Sequence, residues 1–200
     1  MRKLIIILFF TTIFAQNPDF RKVNFGDSID SVKNKETMEF LLSDDNPQIP
    51  DGYQIMYQGK VGGDDTYLVY NFYKGKLYQA VYMFKNEHKG NRNAFIDDYN
   101  DIKKIMVKKY GQGSYPNDKE YYWSNDLYQD DYEDWGMALA IGHLRIVIDY
   151  TYTANSGNDI EVRHGVTGGN YKVNHGLLYT DVELNENANS AQEASTLDDF

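Results

Sequence analysis

The sequence predicts an α+β fold, an antiparallel sheet of about seven or eight strands with two helices packed on one face. Three observations lead there. Apolar residues alternate with a period of two through 53–84 and again from 119 onward. Between these stretches, 93–110 carries one apolar stripe of helical period. The strands are joined by short Gly-containing links, which antiparallel hairpins use and parallel crossovers do not.

The elements follow in order. Residues 1–15 read as a cleaved signal peptide: Arg2 and Lys3, then eleven residues of apolar character from Leu4 to Phe14, then Ala15 at the expected cut. The run is too short to span a bilayer as a helix. No Cys follows it, so a lipid-anchored form is not expected. "FRKVNF" enters the domain. "GDSIDSVKNKE" starts a helix, with Asp27 or Ser28 as its cap and Ile29 and Val32 on one face. Residues 43–52, with two Pro and a closing Gly, read as a loop. "YQIMYQGKV" is a strand, and "TYLVYNFYKGKLYQAVYMF" is a hairpin turning at Gly75.

The second helix is the clearest element. Phe95, Tyr99, Ile102, Met106 and Tyr110 share a face, Asn93 precedes them and Gly111 stops the helix. Next come "KEYYW", "GMALAI", "LRIVIDYTY", "DIEVRHGV" and "YKVNHGLLYTDVEL", all read as strands. Gly142-His143 is read as a tight hairpin turn. Helix followed by meander thus occurs twice, suggesting similar halves at 20–85 and 93–184 within one domain, 16–184. Residues 185–200 read as a flexible acidic tail.

Composition narrows function. There are 30 Asp and Glu against 20 Lys and Arg, and cleavage would remove two bases and no acid. Such a chain repels phosphate backbones, so nucleic acid is not an expected partner. With no Cys there are no disulfides, thiol nucleophiles or thiolate metal sites. No G-x-S-x-G is present, and the Gly pairs at 62–63 and 168–169 lack a phosphate-loop context. Eighteen Tyr are the unusual count. Read with the two-helix layout, they predict an exposed, Tyr-rich sheet face opposite the helices.

The stretch "WSNDLYQDDYEDWG", 123–136, gathers the candidate site residues. Trp123, Asn125, Tyr128, Tyr132 and Trp135 offer the aromatic and amide groups of a ligand surface, such as one for sugars. Asp126, Asp130, Asp131 and Asp134, with Glu133, offer oxygens of the kind Ca²⁺ takes, although no calcium-loop spacing is present. The plainer reading, preferred on composition, is a solvated loop framed by packing tryptophans. His164 and His175 would approach one another if their strands pair, with Asp149 or Glu161 joining them in a metal or acid–base group. Ordinary hydrogen-bonded or exposed histidines are the plainer reading there too.

The line "FRKVNFGDSIDSVKNKE", "NFYKGKLYQAVYMF", "KKYG" and "WGMALAIG" resembles a group of exported bacterial proteins of unassigned activity. The "GDSIDSV" start is similar to the small lipoproteins of outer-membrane assembly and to the beta-lactamase inhibitor protein, without the lipidated Cys of the first or the disulfides of the second. That resemblance implies helices on one face of an antiparallel sheet and a non-enzymatic binding role. The resulting expectation is a periplasmic or secreted binding protein, without a resident cofactor, meeting a protein or glycan partner in the envelope through an aromatic sheet face or the acidic loop. The alternative is a Ca²⁺- or His-assisted hydrolase of glycans or peptides.

Overall fold

The structure is a computed structural model. It describes residues 18–198, with side chains as far as Thr196. The expected signal segment, 1–15, lies outside the described residues.

Four α-helices and one eight-stranded antiparallel sheet make up the fold. In chain order they are α1 (Ile29–Lys35), β1 (Glu39–Asp45), β2 (Gly52–Val61), β3 (Asp64–Tyr73), β4 (Lys76–Phe84), α2 (Ala94–Tyr110), β5 (Tyr121–Trp123), α3 (Tyr132–Ile141), β6 (Leu144–Thr153), β7 (Asp159–Gly169), β8 (Lys172–Asp181) and α4 (Val182–Asp198). The spatial order is β1-β2-β3-β4-β8-β7-β6-β5. Each half is therefore a four-stranded meander running from an outer edge to the centre, and the halves meet where β4 pairs with β8.

Turn chemistry sets the registers. Lys74-Gly75 and Asn170-Tyr171 both have positive φ at two successive residues, the geometry that matches strand twist in two-residue hairpins. Tyr171 is an unusual occupant of such a position. Gly168 and Gly169 are not themselves the turn; they lie in the last rungs of β7.

One face of the sheet holds the main core. Ile55 and Tyr57 of β2, Leu68, Tyr70 and Phe72 of β3, Ala80 and Tyr82 of β4, and Leu177 and Tyr179 of β8 join Ile146, Ile148 and Tyr150 of β6 and Ile160, Val162 and Val166 of β7 in a single apolar cluster. Helix α1 adds Val32, α2 adds Phe95, Ile96, Tyr99 and Met106, and α3 adds Ala138 and Leu139. Phe20 sits among Tyr70, Tyr82 and Tyr179, with ring centroids 5.9, 5.1 and 4.8 Å away. Helix α4 lies on the opposite face, where Leu184 and Ala188 pack with Tyr73, Tyr78 and Ile49.

Three expectations are corrected. The Tyr-rich face is the buried one. Alternation states which residues share a face, but not which face the helices will cover. "GMALAI" is helical, as part of α3. Asp131 caps it by accepting from the Glu133 N–H at 2.9 Å, Glu133 and Asp134 occupy its first turn, and Gly142 ends it in the left-handed region. The flexible tail is instead α4, started by Asp181, whose carboxylate accepts from the Leu184 N–H at 3.0 Å. The fold thus has three helices on the Tyr face and one on the other, rather than two on one face.

Burying so many hydroxyls demands partners. Tyr70 donates to Glu36 at 2.7 Å, Tyr99 to Glu120 at 2.9 Å and Tyr152 to the Asp19 carbonyl at 2.8 Å. Burial pushes the Tyr82 and Tyr150 hydroxyls up to about 12. Glu36 itself is fully sealed and accepts five hydrogen bonds: two from Arg21, and one each from Tyr70, the Thr37 N–H and the Met38 N–H. Burial alone would raise its pKa; the Tyr70 hydroxyl, the Met38 N–H, Arg21 and the Thr37 N–H together hold it below the usual carboxylate value.

Candidate functional site

A cleft of about 610 Å³ opens where β3 begins and β4 ends, bounded by the 85–92 loop, the start of α2 and the β7–β8 turn. Ligand pockets run from roughly 300 to 1,000 Å³. Its cationic groups are Lys85, Lys89, Arg92 and Lys172, with His88 beside them, against one carboxylate, Glu87. Lys89 and Glu87 form a fully solvated pair at 3.2 Å. Among the described residues neither Arg92 nor Lys172 lies within ion-pair reach of a carboxylate, and Lys85 has only the Tyr67 ring, 4.3 Å below its ammonium. Tyr67, Phe84, Phe95 and Tyr171 supply the apolar walls.

Helix α2 fixes the loop of this cleft. Asp98 accepts from Asn86 Nδ2 at 2.8 Å and lies 2.7 Å from His88 Nε2, while the His88 ring meets Phe95 edge-on at 4.6 Å. A second hollow, about 740 Å³, lies under the 46–52 loop. It offers one cation, Lys74, against Asp45 and Asp51, with Pro47, Ile49 and Pro50 between them, an excess of one acid in an already acidic chain.

Behind Phe84 the two predicted histidines do meet. His164 and His175 are diagonal neighbours on β7 and β8, with their Nε2 atoms 2.8 Å apart. One must donate and the other accept; burial favours the neutral form of both, and two neutral rings sharing this bond are opposite tautomers. His164 stacks on Tyr99 at 4.4 Å and His175 tilts against Phe84 at 4.8 Å. Both are buried, and neither Nδ1 has a hydrogen-bond partner. Burial drives His164 well below the ordinary value, with His175 and Lys103 adding to this. Asp149 and Glu161 do not join them. The pleat puts both carboxylates on the opposite face, where Asp149 pairs with Arg163 at 2.8 and 2.9 Å. The histidines are thus core groups closed to a substrate.

The stretch 123–136 becomes a framework rather than an open loop. Trp135 contacts Trp123, Tyr121 and Tyr132 at 5.4, 5.3 and 5.3 Å, and its Nε1 donates to the Gln129 carbonyl at 3.1 Å. Trp123 and Trp135 are half-buried against the core. Asn125 caps a short 3-10 turn by accepting from the Leu127 N–H at 3.1 Å. Tyr128 stacks on His143 at 5.6 Å. Tyr132 is the open one, 46% exposed, with its hydroxyl 3.3 Å from Asp97. The candidate cation ligands take separate structural roles: Asp131 caps α3, Asp126 accepts from the Gln129 amide, and Asp134 lies in the first turn of α3 beside Glu133. Asp130 precedes the helix. Among the described residues no three His, Asp or Glu converge to hold a metal ion.

The cleft was not legible from spacing. Its cations come from 85–92 and 172 and its walls from β3, β4, α2 and the β7–β8 turn, so only the sheet topology assembles them. The one sequence signal was compositional: "KNEHKGNR" is a basic loop in an acidic chain.

No family model, no curated protein and no solved structure matches this chain. No helix among the described residues is long and apolar enough to cross a membrane.

Proposed function

We propose that the chain is an exported, non-catalytic binding protein whose ligand site is the basic, aromatic-walled cleft at Lys85, Arg92 and Lys172. The observation that carries this reading is the charge contrast. In a chain with ten more acids than bases, three cations without a carboxylate partner converge on one hollow. Leaving cations together costs Coulomb repulsion, which an arriving anion relieves.

The acidic remainder of the surface restricts the ligand. Screening confines the cleft's field to about 8 Å at physiological salt, while a long polyanion would also meet the acidic surroundings. The chemistry that fits is a small molecule with one or two acidic groups and a flat apolar body to lie against Tyr67, Phe84 and Tyr171. Export rests on the basic, apolar leader at 1–15, and the binding role also accords with the resemblance of the "GDSIDSV" region. The sealing of His164 and His175 leaves the cleft without a general base of that pair, so a hydrolase gains no support from them.

Thermal unfolding and calorimetry with benzoate, phenyl phosphate, inorganic phosphate and benzyl alcohol test the reading. The two aromatic anions should bind, the neutral alcohol should not, and Lys85→Ala/Arg92→Ala/Lys172→Ala should abolish the response without lowering basal stability. Equal responses of parent and variant, or none from either aromatic anion at millimolar concentration, would overturn it.

A further inference from the structure

The two ends of the sheet are finished differently. At one end β5 is three residues long, and Ser114 continues the cover of β6 by pairing with Asp149. At the other end β1 runs seven residues and, among the described residues, pairs only with β2; along its outer side the Asp45 N–H is taken by the Asp44 carboxylate at 2.9 Å, and no strand covers Glu39 to Asp44. Edge strands are commonly blunted by brevity, Pro, charged side chains (especially Lys) or a β-bulge. Residues 39–45 contain neither Lys nor Pro. A bulge between Phe40 and Leu42 is the sole interruption.

This edge is apolar as well as open. Phe40, Leu41 and Leu42 are 53%, 37% and 46% exposed in succession. It is also held in place: the Phe40 ring meets Tyr57 edge-on at 6.0 Å, and Gln58 Nε2 donates to Glu39 at 2.8 Å. A fixed strand is a better template than a fraying one, because little ordering entropy remains to be lost on pairing.

Charge selects among occupants. Glu39, Asp44 and Asp45 flank the apolar triplet, with no base in the strand. A second copy is disfavoured: antiparallel registers centred on Leu42 or between Leu41 and Leu42 set Glu39 against Asp45 or Asp44 of the other chain, and each copy carries a formal charge of −10. We infer that β1 receives an extended segment of a partner protein, one with two or three apolar residues flanked by Lys or Arg, which adds to the sheet as a ninth strand. Backbone bonds along the edge would supply much of the affinity, and the flanking acids would select the basic partner and reject acidic ones. This partner is distinct from the ligand of the cleft, which lies where β3 begins and β4 ends.

The experiment uses fluorescence anisotropy with three labelled peptides, each about seven residues: Lys-Val-Thr-Val-Leu-Lys-Arg, the same peptide with Glu for every base, and the basic peptide with Pro at its centre. Titrations run on the full chain and on the chain from Gln16, which retains the whole described fold. The basic peptide should bind at least tenfold more tightly than the other two and weaken with added salt. Asp44→Lys/Asp45→Lys should reverse the preference between the basic and acidic peptides. Indifference to that charge reversal, or a basic peptide that binds no better than its Pro form, overturns the inference. So does a dimer in sedimentation that Leu42→Lys dissociates, which would give the edge to a second copy. Binding confined to the chain from Gln16 would assign the edge to the basic, apolar residues 2–14 and overturn it as well.

Discussion

His164 and His175 share a single hydrogen bond, Nε2 to Nε2 at 2.8 Å, inside the core that β7 and β8 build with α2. Burial pushes His175 down to about 4, against the upward pull of Asp98 and with His88 adding to the depression, and it pushes His164 further down. In the unfolded chain both titrate near 6.5. The unfolded state therefore binds more protons than the folded state below that pH, and stability falls as pH drops from about 6.5 towards 4. His175 alone accounts for a loss on the order of 3 kcal/mol across that window. Urea titrations from pH 7.5 to 4.5 should show the decline, and His164→Leu/His175→Leu should flatten it. An unchanged slope in the variant would place the titration elsewhere.

Glu36 ties the entry segment, through Arg21, to Tyr70 of β3. Glu36→Ala leaves the buried Tyr70 hydroxyl and the partly exposed Arg21 guanidinium without their acceptor, a loss of about 3 kcal/mol. Chemical denaturation should report a midpoint shift with little change in slope. A loss under about 1 kcal/mol would mean that water replaces the carboxylate.

Asp131 distinguishes a helix cap from a cation ligand. As a cap, Asp131→Asn should be nearly neutral, since Asn caps as well as Asp, whereas Asp131→Ala should cost about 1 kcal/mol. Thermal unfolding with calcium and with a chelator adds the second arm. If Asn proved as damaging as Ala, and the parent alone gained stability from calcium, the carboxylate would be a ligand.

Gly168 permits α3 to lie directly on β7. A Cβ there would run into the Leu139 carbonyl and approach the Lys172 carbonyl at 3.0 Å. The φ of Gly168 is ordinary, so the requirement is space rather than backbone freedom. Gly168→Ala should destabilise by about 1–3 kcal/mol through displacement of α3. Near-ultraviolet circular dichroism should register the move, because Trp135 and Trp123 report on the packing of that helix.

The parts of the fold that were legible are those where one period dominates a long run. Helix α2 showed its stripe from Phe95 to Tyr110, and the β3–β4 hairpin showed both alternation and its Lys74-Gly75 turn. Helix α3 did not, because six apolar residues fit a buried strand as well as a buried helix, and its cap, Asp131, stood among other acids. Helix α4 has little apolar character, with Leu184 and Ala188 as its packing residues, so composition pointed to solvent. Strand β1 was hidden because its last residues, Ser43, Asp44 and Asp45, run into the Pro-containing loop and read as part of it. The Tyr face was visible as a face, but the position of the helices over it depends on contacts made across the whole chain. Of the aromatic residues singled out around 123–136, the structure gathers Trp123, Tyr132 and Trp135 into one cluster, and leaves only Tyr132 substantially open.

The pairing of β4 with β8 joins Gln79 to Thr180, about a hundred positions apart along the chain. The last strand to be synthesised is therefore a central one. Until β8 arrives, the N-terminal meander ends in a raw β4 edge and β7 has one side bare, and neither half can close its hydrophobic layer. The β4–β8 seam is thus a contact of high sequence separation, whose closure costs the most loop entropy in the sheet.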